Sequence, residues 1–291
     1  MLNIVDIQIT NYYEKNYSLT IIKNNMEETA YNATVTGKIS MTPDLMVLRV
    51  KADEERKMFE AGQFTAIGLL AKEKRSDNSV APIKELEPEK MIKRPYSIAS
   101  ANHQTNNFEF YISQVKSGQL TPRLFALELG DRMWIDHRML GVFKLNETPA
   151  GRNIVMVATG TGLAPYISFL RSHLKDHQDI KLSVIHGASY PWDLGYLSDL
   201  EFMATTFPNF SYFPTLLSAD DTWSGLRGYI EEHMKSDLLK EQVEIELNPE
   251  QTHVYLCGNP NMVKSLSKFL YEKGYSLHKK KQPGALHVET F

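Results

Sequence analysis

Cysteine is almost missing from this chain of 291 residues: Cys257 is the only one. A disulfide framework within the chain is therefore impossible, and so is an iron–sulfur cluster held by several of its own thiolates. No C-x-x-C-H run offers haem attachment, and no apolar run approaches the about 20 residues that a membrane-spanning helix needs. The opening MLNIVDIQIT has neither a basic start nor an apolar stretch, so no secretory signal is expected. Charge of one sign is not in excess. With 32 Lys and Arg against 35 Asp and Glu, the net charge of -3 gives no general attraction for nucleic acid or an anionic membrane. P-loop and Ser-His-Asp patterns are also missing. His173 and His177 stand at i, i+4, but Asp176 and Asp179 beside them read as a solvated helix end, so no metal site is expected. The chain is expected to be a cytoplasmic monomer.

What is present divides into two parts. The length allows two domains. Residues 1–30 are polar and weakly periodic, an extension of uncertain structure. Over residues 31–149, short runs at 33–39, 46–50, 64–70, 108–115 and 132–135 are rich in β-branched and aromatic residues and bounded by turn formers. They predict an antiparallel β-barrel. The charged segment at 71–89 reads either as a solvated loop or as a flap over a ligand. Over residues 150–291 the pattern changes to strand–helix alternation, with strands expected at 153–158, 181–187, 210–218 and 253–258. Helices are expected around Leu163, Tyr166, Ile167, Leu170 and Leu174, and over 262–271 with Gly274 as a stop. That alternation predicts an α/β domain with a parallel sheet.

The motifs fall where such folds bind ligands. ATGTGLAP (158–165) lies between a parallel-sheet strand and a helix. Its glycines allow a tight turn and close approach, and the helix start offers free N–H groups and partial positive charge, a setting for a pyrophosphate. CGNPNM (257–262) makes a second glycine turn after the fourth strand, with a thiol at the strand's C-terminal edge. In the first domain, KRPYSIAS (93–100) sets Arg94 to pair a phosphate and Tyr96 to stack on a ring. KSGQLT (116–121) adds another glycine turn suited to an anion. Each motif alone has a plain alternative as an ordinary turn or a buried strand end.

Taken in order, RPYSIAS, YISQV, SGQLT, ATGTGLAP, VIHG and LCGNPNM resemble the ferredoxin–NADP reductase family of flavoproteins over roughly residues 33–291. FEAGQFTAIGL, GQLTPRL and CGNPNM are similar to the bacterial branch, and the closing GALHVETF is similar to the plant and cyanobacterial branch. The resemblance implies an FAD-binding antiparallel β-barrel domain followed by an α/β parallel-sheet domain that binds NADP or NAD. In the R-x-Y-S motif it implies that Arg94, next to Pro95, pairs the FAD pyrophosphate, that Tyr96 lies against the isoalloxazine, and that Ser97 points at its reactive edge. It implies that Tyr111, Ile112 and Val115 line other flavin contacts, and that Gly118, Leu120 and Thr121 cradle its phosphates. Gly160, Thr161 and Gly162, with Thr159 beside them, are implied to hold the pyridine nucleotide's pyrophosphate. Cys257, followed by Gly258 and Asn259, is implied to sit by the nicotinamide C4, with Glu289 in proton traffic. Phe291 is implied to stack on the flavin where the nicotinamide must go.

One departure bears on coenzyme choice. NADP-specific members carry an arginine after the Ser or Thr that ends the third sheet strand. Here the run is TLLSADDTW: Ser218 is kept, Ala219 stands in the arginine's place, and Asp220 and Asp221 follow. Carboxylates repel a 2′-phosphate and accept hydrogen bonds from a free ribose 2′-OH. Arg227 remains as a candidate for the phosphate, and the expectation is that NADH serves at least as well as NADPH. With no one-electron centre of its own, the chain is expected to hand electrons to ferredoxin or flavodoxin, steered by Lys90, Lys93 and Lys279 to Lys281. An NADH-dependent reductase component of an oxygenase or haem protein system stays open. So does a non-catalytic flavin-binding or siderophore-interaction module.

Overall fold

The computed structural model describes residues 31–145 and 148–290. The N-terminal extension and Phe291, implied above to stack on the flavin, lie outside the described residues.

The first half is built from β1 (Ala33–Thr42), β2 (Leu45–Ala52), β3 (Phe64–Leu70), β4 (Met91–Ser97), β5 (Asn107–Ser113) and β6 (Arg132–Ile135), with α1 (Thr121–Ala126) between β5 and β6. The strands pair antiparallel in the order β4-β3-β6-β1-β2-β5. A bridge between Ile98 and Phe110 brings the two ends of that order together and closes the barrel. Met46, Leu48, Ile67, Phe108 and Phe110 fill its interior.

β4 goes beyond the strands anticipated from the sequence. Pro95 reads as a break, yet β4 is the last strand in the sheet order, where a missing N–H takes little from the ladder. The first four residues of β2 are buried on both faces. Met46, Leu48 and Val50 point into the barrel, while Leu45 and Val47 join the core of the second half, because successive side chains alternate across a strand.

The second half contains β7 (Asn153–Thr159), α2 (Ala164–His173), β8 (Leu182–Ala188), α3 (Leu197–Thr206), β9 (Phe210–Leu216) and β10 (Leu226–Arg227). It continues with α4 (Ile230–Lys235), α5 (Leu238–Val243), β11 (Thr252–Gly258), α6 (Pro260–Glu272) and β12 (Leu286–Thr290). All neighbours run parallel in the order β10-β9-β8-β7-β11-β12. β7 and β11 lie inside the sheet with layers on both faces, which is why they read as unbroken apolar runs rather than alternating ones. Among the described residues, no helix is long and apolar enough to cross a membrane.

Candidate active site

The two glycine turns anticipated after β7 and β11 meet. A short 3-10 turn, Gly160–Leu163, leads from β7 into α2. A Cβ on Gly162 would stand 2.3 Å from the Cys257 carbonyl oxygen, so only glycine lets this turn pack against β11. Gly258 adopts a φ of +129°, and a Cβ there would stand 2.4 Å from Thr159 Oγ1. The Asn259 N–H donates to that same Thr159 hydroxyl at 2.8 Å, which ties the two turns together. Asn259 also caps α6, its side chain accepting from the Asn261 N–H at 2.8 Å. Thr159, Gly160, Thr161, Gly258 and Asn259 thus floor one cleft of about 680 Å³, with Asp44 and Ser113 of the barrel on its other wall. Those two residues carried no motif signal; only the folding of the barrel against the sheet brings them there.

Cys257 and Glu289 stand opposite each other on β11 and β12, with Sγ 3.8 Å from Oε2. The thiol is fully buried, and burial together with the neighbouring carboxyl pushes its pKa up, so it is an un-ionised S–H. Burial also raises the Glu289 carboxyl to about 7, which lets it hold or release a proton near neutral pH.

The residues anticipated for a flavin lie outside that cleft, on the barrel. Arg94 and Pro95 are exposed on β4, and Tyr96 and Ser97 are partly buried at its end. Arg94 makes one hydrogen bond, to the Lys93 carbonyl at 2.7 Å, and no ion pair among the described residues, so its charge is uncommitted. Tyr96 leans edge-on against Phe110, with ring centroids 6.4 Å apart. Lys93 sits 3.5 Å above the Trp134 ring. Val115 is exposed, and the turn after it is closed by Gly118, whose N–H donates to the Val115 carbonyl at 2.8 Å, and by Thr121, whose hydroxyl accepts from the Val115 N–H at 2.9 Å. A Cβ on Gly118 would stand 2.9 Å from that carbonyl, so the turn is as tight as glycine allows.

Three of the anticipated contacts point elsewhere. Ile112 and Leu120 are packed into the barrel core. Tyr111 faces the second half, where its hydroxyl accepts from the Gly195 N–H at 3.1 Å and its ring meets Tyr196 edge-on. At these positions the backbone, not the side chain, is what a ligand beside β5 or the turn can reach.

The segment at 71–89 lies on the 116–121 turn. Arg75 donates to the carbonyls of Gly118 at 2.8 Å, Val80 at 2.7 Å and Lys116 at 3.1 Å. Gln119 reaches the Lys84 carbonyl, and Arg123 anchors the segment's start by donating to the Ala71 carbonyl. Nothing local in that charged run marks Arg75; its two partners in the turn lie 43 and 41 residues away. A glycine turn braced by one guanidinium, an uncommitted arginine and a partly buried tyrosine fit a ligand that is anionic at one end and flat at the other, as FAD is.

Past β9, Arg227 is occupied. It donates to the carbonyls of Ala219 at 3.0 Å, Asp220 at 2.6 Å and Trp223 at 3.0 Å. The Asp220 carboxylate accepts from the Thr222 hydroxyl and N–H, and these bonds hold its pKa below the usual carboxylate range. Ser218 closes the strand end, its N–H donating to the Ser189 carbonyl at 2.9 Å.

A closed antiparallel barrel, a parallel sheet with paired glycine turns, and a thiol–carboxyl pair at the sheet's C-terminal edge define a two-domain flavin and pyridine nucleotide oxidoreductase. The comparisons agree. The oxidoreductase FAD-binding domain family matches residues 32–137, and the oxidoreductase NAD-binding domain family matches residues 156–268. A flavodoxin/ferredoxin–NADP reductase of Buchnera aphidicola subsp. Baizongia pistaciae is 32% identical over 80% of this chain and 88% of its own. The Escherichia coli K12 enzyme of the same name is 33% identical over 79% of this chain and 87% of its own. A ferredoxin NADP+ reductase from Neisseria gonorrhoeae, solved with bound FAD and NADP, superposes with a TM-score of 0.75 at 25% identity, over 90% of this chain and 98% of that one. The chain belongs to the flavodoxin/ferredoxin–NADP reductase family and is an FAD-dependent oxidoreductase that works with NAD(P).

Proposed function

We propose that this chain carries electrons between NAD(P)H and a ferredoxin or flavodoxin, acting as a monomer in the cytoplasm. Residues 31–149 hold FAD and residues 150–291 hold the nicotinamide coenzyme. When bound here, FAD would supply the chemistry that links two-electron and one-electron transfer. The chain's residues bind, orient and manage protons. Arg94, Gly118 and Thr121, with Arg75 behind the turn, take the flavin's phosphates, while Tyr96 and Ser97 meet its ring. Thr159 to Gly162, with Gly258 and Asn259, take the coenzyme's pyrophosphate. The Cys257 thiol packs by the nicotinamide, and Glu289 holds or releases a proton beside it.

The observation that carries this reading is the Cys257–Glu289 pair, 3.8 Å apart, at the edge of the sheet where the two glycine turns meet. A module that only binds flavin has no use for a thiol backed by a carboxyl of pKa about 7. The test is an anaerobic titration of the yellow holoprotein with NADH and NADPH, then mixing with oxidised ferredoxin or flavodoxin. Bleaching by coenzyme and recovery by the carrier are expected. Bleaching without recovery rejects the carrier, and no bleaching rejects the reaction.

A second reading concerns the coenzyme. Arg227 is committed to three carbonyls, and Asp220 stands in the turn where a 2′-phosphate would need positive charge. NADH is therefore expected to serve at least as well as NADPH, which suits a reductase feeding an oxygenase or haem protein. A preference of about 100-fold for NADPH in kcat/KM rejects it.

A further inference from the structure

The barrel and the sheet are joined by a seam that no sequence motif marked. At its centre is Glu109 on β5, with only 5% of its surface exposed. Its Oε1 accepts from Arg171 Nη1 on α2 at 2.5 Å and from the Tyr196 hydroxyl at 2.8 Å, and its Oε2 accepts from Arg49 Nε on β2 at 2.7 Å. Burial alone would raise this carboxyl; Arg171 and Arg49 instead hold it below the usual range, so it is a charged carboxylate in the junction.

Further bonds run alongside. The Ser168 hydroxyl donates to the Ser100 carbonyl at 2.8 Å, Arg171 Nη1 to the Ala99 carbonyl at 3.3 Å, and the Asn102 N–H to the Ser172 hydroxyl at 2.9 Å. Tyr196 reaches the seam from a left-handed backbone conformation, φ +61°, unfavourable for a residue with a Cβ and retained where the surroundings hold it. Before it, Gly195 fits because a Cβ there would fall 2.1 Å from the Tyr111 hydroxyl.

The two ends of the seam are what make it functional. Ala99 and Ser100 follow the R-x-Y-S run of β4 after one residue, Ile98, and α2 directly continues the Gly160–Leu163 turn. We propose that Glu109 is a positioning residue for reduction of the bound flavin. By locking α2 to the segment after β4, it sets the distance and angle between the coenzyme held on the sheet and the ring held on the barrel. Transfer between two bound rings requires reacting atoms about 3–3.5 Å apart, and a misplacement of about 1 Å lowers the rate about 100-fold. The inference rests on the reaction proposed above.

Rapid-mixing measurements on the full-length holoenzyme test it. Glu109→Gln keeps the shape and removes the charge; Tyr196→Phe removes one hydroxyl and leaves both ion pairs. For each, flavin content, coenzyme Kd, the limiting rate of flavin reduction by NAD(P)H, and reoxidation by ferricyanide, which needs no docked coenzyme, are recorded. Glu109→Gln is expected to slow the limiting reduction rate by at least about tenfold, with Kd changed less than about threefold and with flavin content and ferricyanide reoxidation unchanged. Tyr196→Phe is expected to slow the same step by about threefold. The double variant Glu109→Gln/Tyr196→Phe should lose less than the product of the two single losses, since the Tyr196 hydroxyl acts on the seam through Glu109. If Glu109→Gln does not fold, Tyr196→Phe decides. Limiting rates within about 1.5-fold of wild type, or losses confined to Kd or flavin content, overturn the inference alone. Wild-type protein that neither coenzyme reduces overturns the reaction, and the inference falls with it.

Discussion

The barrel and the sheet each carry a glycine turn suited to phosphate, and their surroundings differ. The turn at 116–121 has a roof: the 71–89 segment lies on it, and Arg75 pins two of its carbonyls. The turns at Gly160 and Gly258 open into a cleft of about 680 Å³, with nothing within 4 Å of where a Cβ on Gly160 would be. The same local chemistry thus suits two residence times. A roofed and braced turn suits a cofactor that stays, and an open one suits a coenzyme that must leave after each turnover. Backbone N–H groups alone do not distinguish the two uses; what is packed behind and above them does.

The sharpest way to separate the halves is Gly162→Ala. Its Cβ would fall 2.3 Å from the Cys257 carbonyl, forcing the coenzyme turn off β11. The expected result is a loss of about 100-fold or more in kcat/KM for NAD(P)H with flavin content retained, read by absorbance and steady-state kinetics. Next is Glu289→Gln. The wild-type rate of flavin reduction should show an apparent pKa near 7, and the variant should lose that inflection and fall about 30-fold in rate.

On the barrel side, Arg75→Ala should weaken FAD about tenfold, measured by flavin fluorescence on release, and leave the coenzyme Kd unchanged. An equal loss on both sides would erase the contrast between roofed and open turns.

The smallest effect concerns acid. His253 and His287 are buried in the sheet half with ring nitrogens 3.0 Å apart, and His278 stacks on His287 at 4.6 Å. Burial, with repulsion from His278, lowers His253 to about 4, and burial with repulsion from His278 and His253 lowers His287 to about 2; Arg152 adds to the repulsion on His253. The unfolded chain takes up these protons first. Stability present above the ordinary value of 6.5 is therefore lost as pH falls toward 4. Among the described barrel residues, His103 and His137 are exposed. Melting followed from pH 7 to 5 should drop by about 3 °C, and hydrogen exchange should rise in β11 and β12 before it rises in the barrel.

Much of this was legible in the sequence because it is local. A turn that needs glycine says so, and a strand buried on both faces is apolar throughout. The partition into a barrel and a parallel sheet followed from period and spacing alone. What was not legible is what depends on contact between distant segments. Pro95 concealed β4, since a proline is a break or an edge according to what pairs beside it. Tyr111 and Ile112 sit side by side in one strand, and only the packed structure tells which face meets the sheet half and which the barrel core. Glu109 and Arg75 carried no motif signal, and the partners that give them their places, Tyr196 for Glu109 and Gly118 for Arg75, lie 87 and 43 residues away.

The seam also bears on how this molecule can be recombined. Its barrel and sheet look like separable modules, joined once along the chain between β6 and β7. Yet Glu109 and Tyr111 with residues 99–102 on one side, and α2 with Gly195 and Tyr196 on the other, form a matched lock. A graft that swaps the sheet half for another keeps two well-folded parts and loses their alignment unless both faces of the lock travel together. The unit that can be inherited or engineered as a working whole is the pair, not either domain.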